Sequence, residues 1–119
     1  MRRDMDLVRK IVLATADLPA GESLEGMDGV DDATFAMHAQ WMQEAGLIEA
    51  AIASFMGGES LATVIRLTWD GCEFADAVAS DTLWAKAKAT VIKPSASFTF
   101  GVLRDWLKSE IQQGFPSIR

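Results

Sequence analysis

Two runs of apolar and small residues, separated by a glycine pair, constrain the fold of this chain most strongly. The runs cover residues 47–55 and 61–68, and the segment 56–60 between them reads Met-Gly-Gly-Glu-Ser. In the second run Leu61, Ile65 and Leu67 alternate with smaller or charged residues, which is the two-residue period of a β-strand. A glycine-rich turn between two such runs is typical of a β-hairpin. The sequence therefore predicts an antiparallel pair of strands in the middle of the chain.

Apolar residues at helical spacing predict helices on both sides of the hairpin. These helices cover residues 4–16, 31–45, 69–79 and 82–92, and a last one begins at Ser95 or Ser97 and ends near 113. Polar residues that suit N-cap positions precede them: Asp4, Asp31 or Asp32, Thr68 and Asp81. The side chains predicted to form the apolar, inward-facing stripes are Leu7, Val8, Ile11, Val12, Ala14, Thr15, Phe35, His38, Ala39, Met42, Ala45, Phe74, Ala77, Val78, Leu83, Trp84, Ala87, Val91, Phe100, Leu103, Trp106, Leu107 and Ile111.

Residues 19–30 hold three glycines and several acids, which predicts a loop with, at most, a short strand over 23–27. Pro19 and Gly21 end the first helix, and Pro94 ends the fourth. The predicted order is helix, loop, helix, hairpin and three helices, an α+β fold that is mostly helical. We expect one domain over 1–119, with a core over 1–80, a helical extension over 81–113 and a loose tail over 114–119.

Charge is segregated along the chain. Residues 11–65 carry no lysine or arginine, and nine Asp and Glu lie among them. The net charge is +2 over residues 1–10, −12 over 11–81 and +4 over 82–119, which sums to the −6 of the whole chain. Such asymmetry fits solvated acidic and basic faces, or basic ends that meet an acidic middle in the same chain or in a partner.

The residue inventory excludes several kinds of site. A single cysteine and a single histidine leave no intramolecular disulfide and no multi-Cys or multi-His metal site, and Cys72 is expected to be a buried, inert thiol. Acidic pairs at Asp31/Asp32 and Glu73/Asp76 are explained by helix capping and by a solvated helix face. No nucleophile or phosphate-binding motif is present. We therefore predict a non-enzyme without cofactor or small-molecule substrate.

No apolar run approaches the roughly 18 residues of a membrane span. The charged start of the chain, Met-Arg-Arg-Asp-Met-Asp, leads directly into an amphipathic segment and lacks the apolar stretch of a signal peptide. The sequence therefore predicts a cytoplasmic, soluble protein.

One phrase links the second helix, the hairpin and the third helix. It runs from His38 to Ala50 and resumes over residues 65–71 as Ile-Arg-Leu-Thr-Trp-Asp-Gly. Gly46 lets the chain leave the helix sharply, Thr68 caps the next helix, and Gly71 allows close packing in its first turn. His38, on the inward stripe, is expected to be a buried imidazole bonded to a backbone carbonyl, with a proton switch as the alternative.

This phrase resembles the wing region of bacterial winged-helix proteins. The chain is more closely similar to a phage- and prophage-associated family of unknown function, domain-of-unknown-function family 2513. The similar pieces are RRDMDLVRKIVL at 2–13, EAGLIEA at 44–50, IRLTWDGCEFADA at 65–77, DTLWAKAK at 81–88 and SFTFGVLRDW at 97–106. The resemblance implies a winged-helix-like fold and a phage or prophage origin, and it implies no activity. The helix that normally precedes the recognition helix is not visible in residues 19–30.

Two functions remain open at this stage. The first is a protein-interaction or dimerisation module, with Trp84, Phe98 and Trp106 as a candidate contact surface, unless these side chains belong to the core. The second is DNA binding. The acidic hairpin turn and the base-free helix over 31–45 do not suit it, so DNA would meet the basic residues near the two ends, Arg2, Arg3, Arg9, Lys10, Lys86 and Lys88.

Overall fold

The computed structural model describes residues 1–93 and 98–113. Within them the chain forms α1 (Met5–Ala16), α2 (Asp32–Glu44), β1 (Ile48–Ser54), β2 (Ser60–Leu67), α3 (Trp69–Val78), α4 (Asp81–Ala87), a π-helical turn (Lys88–Ile92) and α5 (Phe100–Gln112). The predicted α+β, mostly helical fold is confirmed. The proposed helix starts at Ser95 and Ser97, the stop at Pro94 and the tail over 114–119 lie outside the described residues. The chain divides into two compact units, Met1–Cys72 and Glu73–Arg119.

The first unit opens with α1, which forms as predicted. The Asp4 side chain caps it by accepting hydrogen bonds from the backbone N–H groups of Asp6 at 3.0 Å and Leu7 at 3.2 Å. Of the predicted apolar stripe, Ala14 is half-buried and the rest is buried: Leu7, Val8, Ile11, Val12 and Thr15.

Residues 17–31 form no helix, and their predicted strand is reduced to a single bridge. Leu24 and Val64 exchange backbone hydrogen bonds of 2.9 and 2.8 Å. Because Val64 lies in β2, this bridge covers part of the outer edge of that strand. The segment therefore acts as a loop with one β contact.

Helix α2 begins after Asp31, whose side chain makes no capping hydrogen bond although it occupies the N-cap position. Its inward face buries Phe35, His38, Ala39 and Met42 as predicted, among others. Ala45 was predicted to face inward and is exposed, because the helix has already ended there. The chain leaves through Gly46 with a φ of +79°, which confirms the predicted left-handed turn.

Strands β1 and β2 pair antiparallel and make a two-stranded sheet. Partners include Ala53 with Leu61 and Ala50 with Val64, and the register shifts between Glu49 and Ala50, where β2 carries an extra residue, Ile65. Helices α1 and α2 contact this sheet on its inner face. The core of the first unit therefore lies between these two helices and the hairpin.

The second unit holds the rest of α3, then α4, the π-helical turn and α5. Phe74, Val78, Leu83, Leu103 and Leu107 are buried here, and the rings of Phe74 and Phe100 lie 5.1 Å apart. Phe100, Trp106 and Ile111 were also predicted to face inward and are half-buried.

Three predicted boundaries in this unit are wrong. The cap of α4 is Ser80 and not Asp81, since the Ser80 hydroxyl accepts from the N–H of Leu83 at 3.1 Å. The predicted single helix over 82–92 changes at Lys88 into a π-helical turn, in which the N–H of Lys93 donates to the Lys88 carbonyl at 2.9 Å. Helix α5 starts later than predicted, because Thr99 caps it.

Candidate interaction surface

The base of the hairpin is closed by Thr68. Its hydroxyl donates to the Gly46 carbonyl at 2.5 Å and accepts from the Gly71 N–H at 3.0 Å. Its backbone N–H donates to the Leu47 carbonyl at 2.9 Å. Thr68 therefore caps α3, as predicted, and also ties the entry of the hairpin to its exit.

Gly71 lies against the same carbonyl. A Cβ at this position would overlap the Leu47 carbonyl oxygen and would lie 3.0 Å from its carbonyl carbon. The predicted close packing at Gly71 is confirmed, and its cause is the approach of α3 to the backbone at the start of the hairpin.

Thr68→Val keeps the shape of the side chain and removes its hydroxyl. We expect a loss of about 1–2 kcal/mol in the free energy of unfolding, because the Gly71 N–H loses its cap and the Gly46 carbonyl loses its donor. Urea denaturation of both proteins measures this loss. Thr63→Val, the same change at a hydroxyl outside this network, is the matched control and should be nearly neutral. Equal losses in the two variants would contradict the role of Thr68.

His38 ties α2 to the start of α1. The ring is 1 % exposed, its Nδ1 lies 2.8 Å from the Thr34 carbonyl, and its Nε2 lies 2.9 Å from the backbone nitrogen of Asp4. A carbonyl can only accept and a backbone N–H can only donate, so the proton resides on Nδ1 and the ring is neutral. The predicted carbonyl bond is confirmed. The bond to Asp4, which spans 34 positions, was not predicted.

The basic residues predicted to meet DNA occupy both units. In the first unit Arg2, Arg3 and Lys10 are exposed and Arg9 is half-buried. In the second unit Lys88 is half-buried, and the Lys86 ammonium pairs with the Glu110 carboxylate and lies 5.9 Å from the Trp106 ring centroid. Lys86 is therefore already engaged by an acid of its own unit.

Of the predicted aromatic surface, Trp84 is only 2 % exposed and belongs to the core of the second unit, which is the alternative that the sequence left open for it. Phe98 and Trp106 are half-buried. The most exposed tryptophan is Trp69, at 81 %, on the first turn of α3.

A larger apolar surface lies on the side of the hairpin that faces away from the core, which we name the hairpin outer face. On β2 the inward residues are the small Ala62 and Val64, so the larger Leu61 and Ile65 point outward and are 46 and 47 % exposed. The full set of the hairpin outer face is Ala51, Ala53, Leu61, Thr63 and Ile65. An antiparallel sheet with one solvated face normally places polar side chains there, so this face is unusually apolar.

The hairpin outer face continues at both ends. At the tip Phe55 is 52 % exposed and Met56 is fully exposed. At the other end Ile65 lines a groove of about 220 Å³ together with Leu18, Pro19 and Cys72, among others. The prediction that Cys72 is buried is wrong, because the Cys72 side chain is exposed.

One ion pair borders the hairpin outer face. The Arg66 guanidinium binds the Glu49 carboxylate through two hydrogen bonds, Nε to Oε2 at 3.1 Å and Nη2 to Oε1 at 2.7 Å. Arg66 is the single base of residues 11–81, and its charge is compensated by this cross-strand partner. The face therefore offers no free cation to a phosphate group.

The sequence profile of a family described as "Hypothetical protein (DUF2513)" matches residues 2–97. A protein of Haemophilus influenzae with the name "Uncharacterized protein" is 34 % identical over 116 residues, which cover 95 % of this chain and 98 % of that one. This chain belongs to the DUF2513 family. No solved structure matches it.

The matched region of this DUF2513 member includes the hairpin outer face, the Thr68 network and His38. Across residues 1–93 and 98–113 no group of three or more His, Cys, Asp or Glu is placed to hold a metal ion. None of the described helices is both long and apolar enough to cross a membrane.

Proposed function

We propose that this DUF2513 member is a non-catalytic protein-interaction module of winged-helix type, of phage or prophage origin, and that the hairpin outer face is its contact surface. The observation that carries the proposal is the exposure of Leu61 and Ile65 on an uncharged sheet face, with Phe55 and Met56 beside it. Contiguous exposed apolar surface of this kind marks interaction sites in soluble proteins.

The winged-helix assignment rests on the order of the elements. Helix α1, the bridge at Leu24, helix α2 and the β1–β2 hairpin follow one another as the parts of a winged helix do. The phage or prophage origin rests on the similarity of sequence phrases to proteins of that kind. One part of the pattern is missing, since no helix lies between Leu24 and Asp32.

The expected gain from covering the hairpin outer face is modest but useful. Full burial of a leucine or isoleucine side chain contributes about 1.5–3 kcal/mol, so covering two that are half exposed contributes about 1.5–3 kcal/mol together. Phe55 and Met56 add to this sum. The surface therefore fits a regulated or transient contact, in which a few apolar anchors supply most of the affinity.

DNA binding receives less support from the geometry. The exposed positions of α2 include Asp32, Gln40 and Glu44, and no lysine or arginine lies on this helix. The hairpin turn carries Glu59, and Arg66 is held by Glu49. A DNA contact would have to use Arg2, Arg3, Arg9 and Lys10 of the first unit, or Lys86 and Lys88 of the second.

Leu61→Thr/Ile65→Thr makes the hairpin outer face more polar and places threonine, a β-branched residue that suits strands, at both positions. A tagged bait of the wild-type chain, added to an extract of cells that carry its gene, is expected to retain a specific protein that the variant bait loses. Val102→Thr, a comparable change at an exposed position of α5, is the control and should retain it. Quantitative mass spectrometry of the three eluates measures the difference.

Two outcomes would contradict the proposal. One is that the double variant retains the same proteins as the wild type. The other is salt-dependent binding of a labelled DNA duplex, measured by fluorescence anisotropy at low salt, that is lost when Arg2 and Arg3 are replaced by glutamine. That result would identify the basic start of the chain as a nucleic-acid contact.

A further inference from the structure

The two edges of the hairpin differ in how their backbone groups are used. The N–H and C=O groups of Val64 point away from β1. The N–H donates to the Leu24 carbonyl, and the C=O accepts from the Leu24 N–H. The partner of Val64 across the sheet is Ala50, so Ala50 must turn its own groups away from β2. The hydrogen bond from the Ala50 N–H to the Gln43 Oε1 at 2.7 Å agrees with this direction.

Backbone direction alternates along a strand, so Ile52 and Ser54 also turn their N–H and C=O groups to the free edge of β1. The edge of β2 is partly covered by Leu24, whereas on β1 the Gln43 side chain binds the Ala50 N–H, and no other group of residues 1–93 and 98–113 bonds this edge. Residues 50–54 read Ala-Ala-Ile-Ala-Ser, with no charge and no proline. Exposed edges usually carry one of these protections against pairing.

We propose that the free edge of β1 pairs antiparallel with the same edge of a second copy of this chain, which joins two hairpins into one four-stranded sheet. The two-fold axis passes beside Ile52. The two Ile52 residues then exchange N–H···O bonds, and each Ser54 N–H donates to the Ala50 carbonyl of the other copy. The Ala50 N–H, which this arrangement would also point at the partner, is the group already held by Gln43.

A second copy fits this edge better than a charged strand does, because the uncharged side chains of one β1 edge pack against the same side chains of the other. Across the new seam Ile52 faces Ile52, and on the outer side Ala51 faces Ala53 of the other copy. Small residues at these outer positions let the two strands approach without a clash. Glu49 lies opposite Phe55, so the two Glu49 carboxylates are about 20 Å apart at ~3.4 Å per residue, well beyond the screening length of about 8 Å.

This inference rests on the proposed function, in which the hairpin outer face is the contact surface for another protein. Pairing through β1 joins the two hairpin outer faces into one apolar surface of twice the area. It also satisfies the backbone groups at Ile52 and Ser54. The dimer would therefore present to a further protein a wider contact surface than one copy can offer.

Ile52→Pro tests the pairing, because the lost N–H faces the free edge and takes no part in the β1–β2 ladder. Sedimentation velocity over a range of concentrations is expected to show a reversible dimer for the wild type. The dimer dissociation constant should rise about tenfold or more for Ile52→Pro, since both central bonds are lost. Ser54→Lys, which places a charge at the seam without altering the backbone, should weaken the dimer in the same direction.

Cross-linking locates the seam independently of these variants. In a Cys72→Ser background, Ile52→Cys is expected to form a disulfide-linked dimer on mild oxidation, whereas Leu61→Cys, exposed on the other strand, should remain largely monomeric. The inference is overturned by a wild-type chain that stays monomeric at high concentration, by Ile52→Pro and Ser54→Lys dimers that are as strong as the wild-type dimer, or by preferential cross-linking at position 61.

Failure of this inference can be told apart from failure of the proposed function. Leu61→Thr/Ile65→Thr leaves the β1 edge intact, so it should dimerise like the wild type while it loses the protein partner. If the wild type and the double variant are both monomeric and only the variant loses the partner, the hairpin outer face is supported as the contact surface and the edge pairing is rejected.

Discussion

Gly71→Ala is expected to destabilise the first unit by up to about 2 kcal/mol, although alanine is the better helix former. Helix propensity alone would stabilise the variant by about 1 kcal/mol. The new methyl group would overlap the Leu47 carbonyl oxygen, and forcing an extra carbon into a packed site costs about 1–3 kcal/mol. That carbonyl accepts the Thr68 N–H at 2.9 Å, so it cannot move away without the loss of a hydrogen bond. The steric cost should therefore outweigh the gain in propensity.

Gly101→Ala is the matched control, because it makes the same change in another helix where space is free. The nearest atom to a Cβ at Gly101 is the Thr99 hydroxyl oxygen at 3.8 Å. This variant should be stabilised by about 0.5–1 kcal/mol. Urea denaturation of the two variants should thus shift the midpoint in opposite directions. A stabilised Gly71→Ala protein would mean that the start of α3 can move away from the hairpin.

The parts of the fold that were predictable from sequence depend on neighbours along the chain. The spacing of Leu7, Ile11 and their neighbours gave α1, Gly46 gave the end of α2, and the glycine pair gave the hairpin turn. The N-cap residues could not be assigned in the same way, because two adjacent polar residues can both suit the N-cap position. Ser80 and Asp81 both suit the start of α4, and only the packed helix selects Ser80.

The candidate surface was not predictable in the same way, because both sides of β2 are apolar. Alternation separates Leu61 and Ile65 from Ala62 and Val64, but it does not say which pair faces the core. Large residues would be the usual choice. The structure selects the small pair, since α1 and α2 contact the inner side of the sheet closely. Helical spacing likewise could not show that Trp84 is buried while Trp69 is exposed.

The base-free stretch gains a physical meaning from this arrangement. It contains α2 and the hairpin turn, where a DNA-binding winged helix would place cations. The Arg66 that follows it is neutralised by Glu49 across the strand pair. The acidic residues of this stretch would repel phosphates, and the uncharged hairpin outer face offers apolar contact instead. This pattern favours a protein partner over a nucleic acid.

His38→Leu is expected to lower the free energy of unfolding by about 2–3 kcal/mol. Leucine fills a similar volume, so the loss comes mainly from the two ring hydrogen bonds. The backbone N–H of Asp4 would lose the imidazole acceptor at a part-buried site, and an unsatisfied polar group of this kind costs about 1–3 kcal/mol. The Thr34 carbonyl loses a donor as well. Because Asp4 also caps α1, fraying of that helix should accompany the loss.

His38→Gln separates the effects of the two hydrogen bonds. The glutamine amide oxygen can accept from the Asp4 N–H, but the side chain differs in length and shape from the imidazole ring. The free energy of unfolding of His38→Gln should fall between those of the wild type and His38→Leu. Hydrogen exchange at Leu7 and Val8 should quicken in the order wild type, glutamine, leucine, and ¹⁵N NMR of the wild-type ring should place the proton on Nδ1. A proton on Nε2, or equal exchange rates in all three proteins, would show that the imidazole does not hold the start of α1. The expected results would show that His38 links the start of α1 to α2. These two helices contact the inner side of the sheet, and the hairpin outer face is the opposite side of the same sheet.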